Sequence, residues 1–397
     1  MKDGDQMKKS PFHIETLAIH AAEQHDLNQS LNPPIYMTST FSFSDLQQAD
    51  DTFSFKRKAY VYTRGGNPTV NLFEKRLAAI EGGKDSVAFS SGMAAISSVL
   101  MSLVKSTEEV VAHRNLYGST FGLTSRLLPS FDILTRYINM TDLEEVKAAI
   151  SDKTRVFFLE TPTNPSMEII DIKAVAEIAR EHRIKLVVDN TFATPYFQQP
   201  LRYGADVVVH SATKYLSGHG DTLGGVATSS DENYIADLKF GYMCELGGVM
   251  SPFNAWLILR GMKTLPLRMK MHESNAIAIA EFLLKHKAIN RVIYPGLEDH
   301  PGHSMAEKQM TGYGGIVSFE LHGGLDAARD FVERLKLLKL AVSLGDTESL
   351  VEIPALMTHR DYPSSELEEF GFTESTVRIS AGLEHPEDLL ADIEQAL

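Results

Sequence analysis

The chain predicts an α/β fold with a large, mostly parallel sheet domain and a smaller C-terminal α/β domain, on three observations. Between residues 85 and 229, short β-rich runs alternate with helical stretches, the pattern of a sheet covered by helices. Beyond about residue 250 the helical runs lengthen and the strands become fewer. At 397 residues the chain exceeds one ordinary core, so a large domain and a smaller one are expected.

Residues 1–60 are rich in Asn, Pro, Ser and Thr with little periodicity and read as an extended arm. The large domain is expected over 61–255, with strands at 85–90, 109–114, 132–138, 155–160, 185–190, 206–211 and 224–229. Runs such as "MAAISSVLMSLV" and "IKAVAEIAREH" space their apolar residues three and four apart, as helices that cover a sheet must. The smaller domain, 256–397, opens with the long helical pattern "SPFNAWLILRGMKTLPLRMKMHESNAIAIAEFLLKH". It continues with strands "IVSFELH" and "VRISAGLE" on either side of the helix "LDAARDFVERL".

Composition narrows the function. No apolar run reaches the roughly 18 residues a membrane span needs, and the first residues lack the layout of a secretory signal, so a cytoplasmic location is expected. A net charge of −14 disfavours a nucleic-acid surface. Cys244 is the single cysteine, which excludes an intrachain disulfide and a cysteine-rich metal site, and reads as an ordinary buried thiol.

Ligands of open α/β sheets sit beyond the carboxyl ends of the strands, and three features fall there. Asp189 ends the apolar strand "LVVD"; acids are rarely buried without a partner, although a turn former would also suit the site. "SSGMAA" joins a strand to a helix start at 90–95, a geometry that binds anions and that simple capping explains equally well. In "HSATKYLSGHGD", Ser211 and Thr213 flank Lys214, which could snorkel to solvent or, if shielded, act as nucleophile or base.

Together a phosphate binder, a buried acid and an activated amine suit pyridoxal phosphate, whose phosphate, ring nitrogen and aldehyde need these three groups. A metal site from His210, His219 and Asp221 matches neither helical nor zinc-ligand spacing, and no metal is expected.

"YVYTRGGNPT", "FSSGMAAI", "NLYGSTF", "ETPTNP", "VVDNTFATP", "HSATKYLSGHGD", "SLGDTESL" and "VRISAGLE" resemble, in order and spacing, the Cys/Met-metabolism (trans-sulfuration) family of pyridoxal-phosphate enzymes. The resemblance implies the aspartate-aminotransferase-like fold type I. It implies that Lys214 carries the cofactor as a Schiff base and that Asp189 pairs with the ring nitrogen. Gly92, Met93, Ser211 and Thr213 would hold the phosphate, and Tyr117 would stack on the ring and transfer protons. Tyr62 and Arg64 would reach the phosphate in a neighbouring subunit, so a dimer is required and a tetramer is expected. Arg378 would grip the substrate α-carboxylate, with Asn164 and Ser343 nearby.

The activity implied is γ-elimination on a sulfur amino acid, with γ-replacement sharing the same core residues and a non-catalytic cofactor binder as a remote alternative. "VSLGDTESL" is similar to the methionine γ-lyase version of that stretch. Ser119 stands where that group usually has cysteine, and Met243-Cys244 where it tends to have a lysine and an acid, so cystathionine or homocysteine remain rival substrates.

Overall fold

The computed structural model describes residues 12–23, 26–360, 362 and 367–397; the first 11 residues of the expected arm lie outside them. Seven strands build the large sheet: β1 (Asp85–Phe89), β2 (Glu109–His113), β3 (Leu134–Ile138), β4 (Thr154–Glu160), β5 (Lys185–Asp189), β6 (Val207–Ser211) and β7 (Gly225–Ser229). Their order is β1-β7-β6-β5-β4-β2-β3. Strand β7 alone runs against its neighbours, and the pairs from β6 to β3 are parallel. The seven expected strands agree to within two residues at either end.

The apolar runs of the central strands are continuous because both sheet faces are covered. Val187, Val207 and Val209 pack beneath the helix Gly92–Leu103, whereas Leu186, Val188 and Val208 pack against the helix Ile172–Glu181. Ser91 caps the first helix by accepting from Ala94 N at 3.1 Å, and Asp171 caps the second by accepting from Ala174 N at 2.9 Å. These caps fix where each helix starts above the sheet.

A second sheet lies in the C-terminal part: β8 (Ile289–Ile293), β9 (Ile316–Leu321), β10 (Lys339–Leu340), β11 (Leu350–Glu352) and β12 (Thr376–Ser380), in the order β10-β11-β12-β9-β8. Beyond the end of β12 at Ser380, Asn275 donates to the carbonyls of Gly382 and Glu384 at 3.0 and 2.9 Å. Strands β8, β10 and β11 carry too short or too polar a pattern to be expected from sequence. The long helical run past residue 250 is two helices, Pro252–Met262 and Leu265–Lys285, the second beginning with Pro266 in its first turn. The first spans the 255/256 position and packs on the helix Pro68–Glu81. Helices Ile14–His20 and Leu46–Phe53 interrupt the described part of the arm.

Candidate active site

A cavity of about 240 Å³ opens beyond the carboxyl ends of β4, β5 and β6, between the two sheets. Strand ends contribute Asp189, Ser211 and, not named from sequence, Glu160; Gly92 and Met93 begin the helix after β1; Tyr117, Asn164, Thr213, Lys214, Ser343 and Arg378 are the other lining residues named from sequence. These residues are separated by up to hundreds of positions in the chain, and the crossovers of the parallel sheet bring them together.

Lys214 leaves the sheet three residues after β6, and its Nζ donates to Ser343 Oγ at 2.8 Å. Burial lowers its pKa from the ordinary lysine value, the positive charge of Arg378 lowers it further, and the charges of Asp346 and Glu352 oppose them. A less basic amine is a better nucleophile and base near neutral pH.

Asp189 ends β5 directly beside Glu160 at the end of β4, as partners in the parallel register. Thr191 donates to Asp189 Oδ1 twice, from its N at 2.9 Å and its Oγ1 at 2.6 Å, so Oδ2 keeps its lone pairs. Tyr117 N donates to Glu160 Oε1 at 2.8 Å. Burial raises both acids above the usual carboxylate range, and the Asp189 charge raises Glu160 further. Both shifts favour the protonated form, and a cation beside the pair would favour ionisation.

Arg378, on β12, is buried. Its Nη1 faces Asn164 Oδ1 and Glu352 Oε1, each at 2.9 Å, and its Nη2 donates to the Ser343 carbonyl at 2.7 Å. Nε is buried without a partner among the described residues. The uncommitted edge, Nε with the second Nη2 hydrogen, has the fork geometry that takes a carboxylate in two parallel bonds. His359 Nε2 lies 2.9 Å from the Asn164 carbonyl and so carries the hydrogen; burial and the Arg378 charge push its pKa down to about 3. A neutral histidine thus buttresses Asn164.

At the opposite wall, Gly92 permits close contact: a Cβ there would stand 2.9 Å from Ser211 Cβ. The first-turn amides of Gly92 and Met93 lack intrahelical acceptors, and both residues line the cavity together with Ser211 and Thr213. Gly225 is needed for the same reason, since a Cβ on it would overlap the Ser91 carbonyl oxygen.

Other expected residues stand apart from this cavity within one chain. Tyr62 is half-exposed with the Arg64 guanidinium 5.3 Å over its ring. Ser119 is exposed on the short helix Gly118–Gly122. Met243 is buried, whereas Cys244 is half-buried rather than the buried thiol expected, because its Sγ donates to the Arg64 carbonyl at 3.3 Å near the surface. His210, His219 and Asp221 go to separate partners, Glu81, the Ser217 carbonyl and the Ser217 hydroxyl.

The family model for Cys/Met metabolism PLP-dependent enzymes matches residues 15–397. The chain belongs to this family. It is 47% identical to an L-methionine gamma-lyase of Fusobacterium nucleatum subsp. polymorphum over 98% of this chain and 99% of that one. It is 45% identical to a cystathionine gamma-lyase of Dictyostelium discoideum over 97% and 98%. A Campylobacter jejuni chain solved with N′-pyridoxyl-lysine-5′-monophosphate superposes with a TM-score of 0.94 at 34% identity, over 97% of this chain and 99% of that one.

The family's cofactor, pyridoxal phosphate, fits the residues present. A carboxyl pair at the cavity wall with raised proton affinity, an amine of lowered basicity and a helix start beside two hydroxyl-bearing residues offer three chemically distinct attachments, one for each polar end of the molecule. Three features of this family site escaped sequence reasoning. Glu160 ends "RVFFLE" as Asp189 ends "KLVVD", so the same argument could have found it. Thr191 and Glu352 gave weaker signals, the latter because β11 is only three residues long.

Proposed function

We propose that this enzyme catalyses γ-elimination on a sulfur amino acid, L-methionine giving methanethiol, 2-oxobutanoate and ammonia. One observation carries the reading: Ser343 ties the amine of Lys214 to the guanidinium of Arg378. A base and a carboxylate binder are thereby set on one residue, as removal of an α-proton from a held amino acid requires. Relatives named L-methionine gamma-lyase at 44–47% identity support the substrate.

Pyridoxal phosphate, when bound, supplies the electron sink for charge developing at Cα. Lys214 would anchor it and, once free, move the α-proton; its lowered basicity suits that task. Asp189 would hold the proton on the ring nitrogen, with Glu160 beside it. Gly92, Met93, Ser211 and Thr213 would hold the phosphate. Arg378 would orient the α-carboxylate, held in place by Asn164 and Ser343. Tyr117 would stack on the ring and protonate the departing sulfur. We further propose that residues 61–255 hold the cofactor and 256–397 close over the substrate.

Tyr62 and Arg64, away from the cavity of their own chain, support a homodimer in which they reach the neighbour's phosphate, with two dimers forming a tetramer. No helix of the described residues is long and apolar enough to cross a membrane, and a cytoplasmic location is proposed. A second reading, cystathionine or homocysteine as substrate, or γ-replacement, is favoured by Ser119 and Met243-Cys244. Offering methionine, homocysteine, cystathionine, and O-acetylhomoserine with sulfide side by side decides: methanethiol and 2-oxobutanoate from methionine at the highest kcat/KM are expected, and dominant thiol-dependent replacement would overturn the reading.

A further inference from the structure

Glu352 is fully buried at the end of β11 and is the cross-strand register partner of Arg378. Its Oε1 lies 2.9 Å from Arg378 Nη1 and accepts from Thr358 Oγ1 at 2.8 Å. Its Oε2 is buried with no hydrogen-bond partner among the described residues. A carboxylate taken out of water and left half satisfied is costly. An ion pair serving only the fold would be expected to satisfy both oxygens. The guanidinium is half used in the same way, with Nε buried and unpartnered.

Charge explains the arrangement better than packing does. With Glu352 against it, Arg378 is already neutralised before an amino acid arrives, and an incoming carboxylate meets a weakened cation. We propose that Glu352 is a positioning residue that acts as an internal counter-ion, holding Arg378 in the site before substrate binds and competing with the substrate α-carboxylate for its charge. This rests on the reading of Arg378 as the carboxylate binder.

The chemistry gives such a rival a use. The α-carboxylate is present in substrate, transition state and 2-oxo acid product alike, so tighter binding of it lowers KM without raising kcat. Moderating the clamp lets the product leave.

Norleucine, which replaces the sulfur of methionine with a methylene and so has no leaving group, and norleucinamide, which lacks the carboxylate, are suitable probes. Their inhibition constants are measured on the holoenzyme. Glu352→Gln is expected to tighten norleucine about tenfold, the scale of one close charge coupling, with norleucinamide unchanged, KM for methionine falling and kcat not rising. Glu352→Asp, which withdraws the same charge by one methylene, gives a smaller change in the same direction and serves if E352Q fails to fold. Norleucine affinity that is unchanged or weakened in either variant, or an equal shift for both probes, overturns the proposal. If the wild-type enzyme itself binds the two probes equally, Arg378 is not the carboxylate binder and both readings fall.

Discussion

Lys214 Nζ donates to Ser343 Oγ at 2.8 Å, and Ser343 is a non-glycine residue held at a φ of 131°. Backbone strain of this kind persists where surrounding structure enforces it; here the Ser343 carbonyl is pinned by Arg378. The hydroxyl is the only part of this link that a substitution can remove cleanly. Ser343→Ala should lower kcat about tenfold, as loss of one aligned contact to a catalytic group does, with a smaller change in KM because the carbonyl contact remains. Steady-state kinetics with methionine measure the split.

The Glu160 and Asp189 carboxyls make a prediction about pH. Burial raises both, so each holds its proton more tightly folded than unfolded. The stability this gives is complete below the ordinary carboxylate range and is lost as pH rises through the raised values. The cofactor-free protein should therefore lose more stability than Glu160→Gln as pH rises above the ordinary carboxylate values. Bound pyridoxal phosphate, by placing a cation beside Asp189, should shrink that difference. Thermal unfolding of both forms measures it.

Two buried histidines, His272 and His359, and the partly buried His300 act in the opposite sense. Burial pushes His272 and His300 down to about 4 and His359 to about 3. Each is neutral when folded and gains a proton on unfolding, so the stability is present above about 6.5, the ordinary histidine value, and declines as pH falls toward the folded values. His300→Asn, which keeps an acceptor for the Gly302 amide that His300 Nδ1 now serves at 3.0 Å, should flatten the acid limb of urea midpoint against pH.

Gly225 supports a stability prediction at the opposite wall. Gly225→Ala would place a methyl group on the Ser91 carbonyl oxygen, where backbone must move. Destabilisation of roughly 3 kcal/mol is expected, at the top of the range for overpacking, together with weaker cofactor binding because Ser91 caps the helix that begins at Gly92. Urea unfolding and titration with pyridoxal phosphate report the two effects separately; a variant with unchanged midpoint and affinity would contradict the contact.

The central strands of the large sheet were legible because both faces are covered and each reads as a short apolar run, while the edge strand β3 showed as a β-rich run with an exposed face. Asp189 and Ser211 at their carboxyl ends followed from the same logic, whereas Glu160 at the end of β4 was passed over. What the sequence hid was pairing. Nothing local says that Glu352 faces Arg378, because β11 is three residues long and its partner is across a sheet of which only two strands have a readable pattern. The two helices of 252–285 merged into one pattern because the break at Lys263-Thr264 leaves the apolar spacing nearly intact. Tyr62, Arg64 and Ser119 were readable as motif members, but their distance from the cavity of their own chain is a property of three dimensions.

Strand β7 lies between β1 and β6, although it follows β1 by more than a hundred positions in the chain. The turn after β1 and the segment after β6 are thus held side by side in the finished sheet by a strand that follows both in the chain. A chain that stops short of Ser229 carries both halves of the anion cradle without the strand that the finished sheet sets between β1 and β6. Acquisition of colour by chains ending before and after β7 measures whether closing the sheet completes the cradle, and uptake by the longer chains alone is the expected outcome.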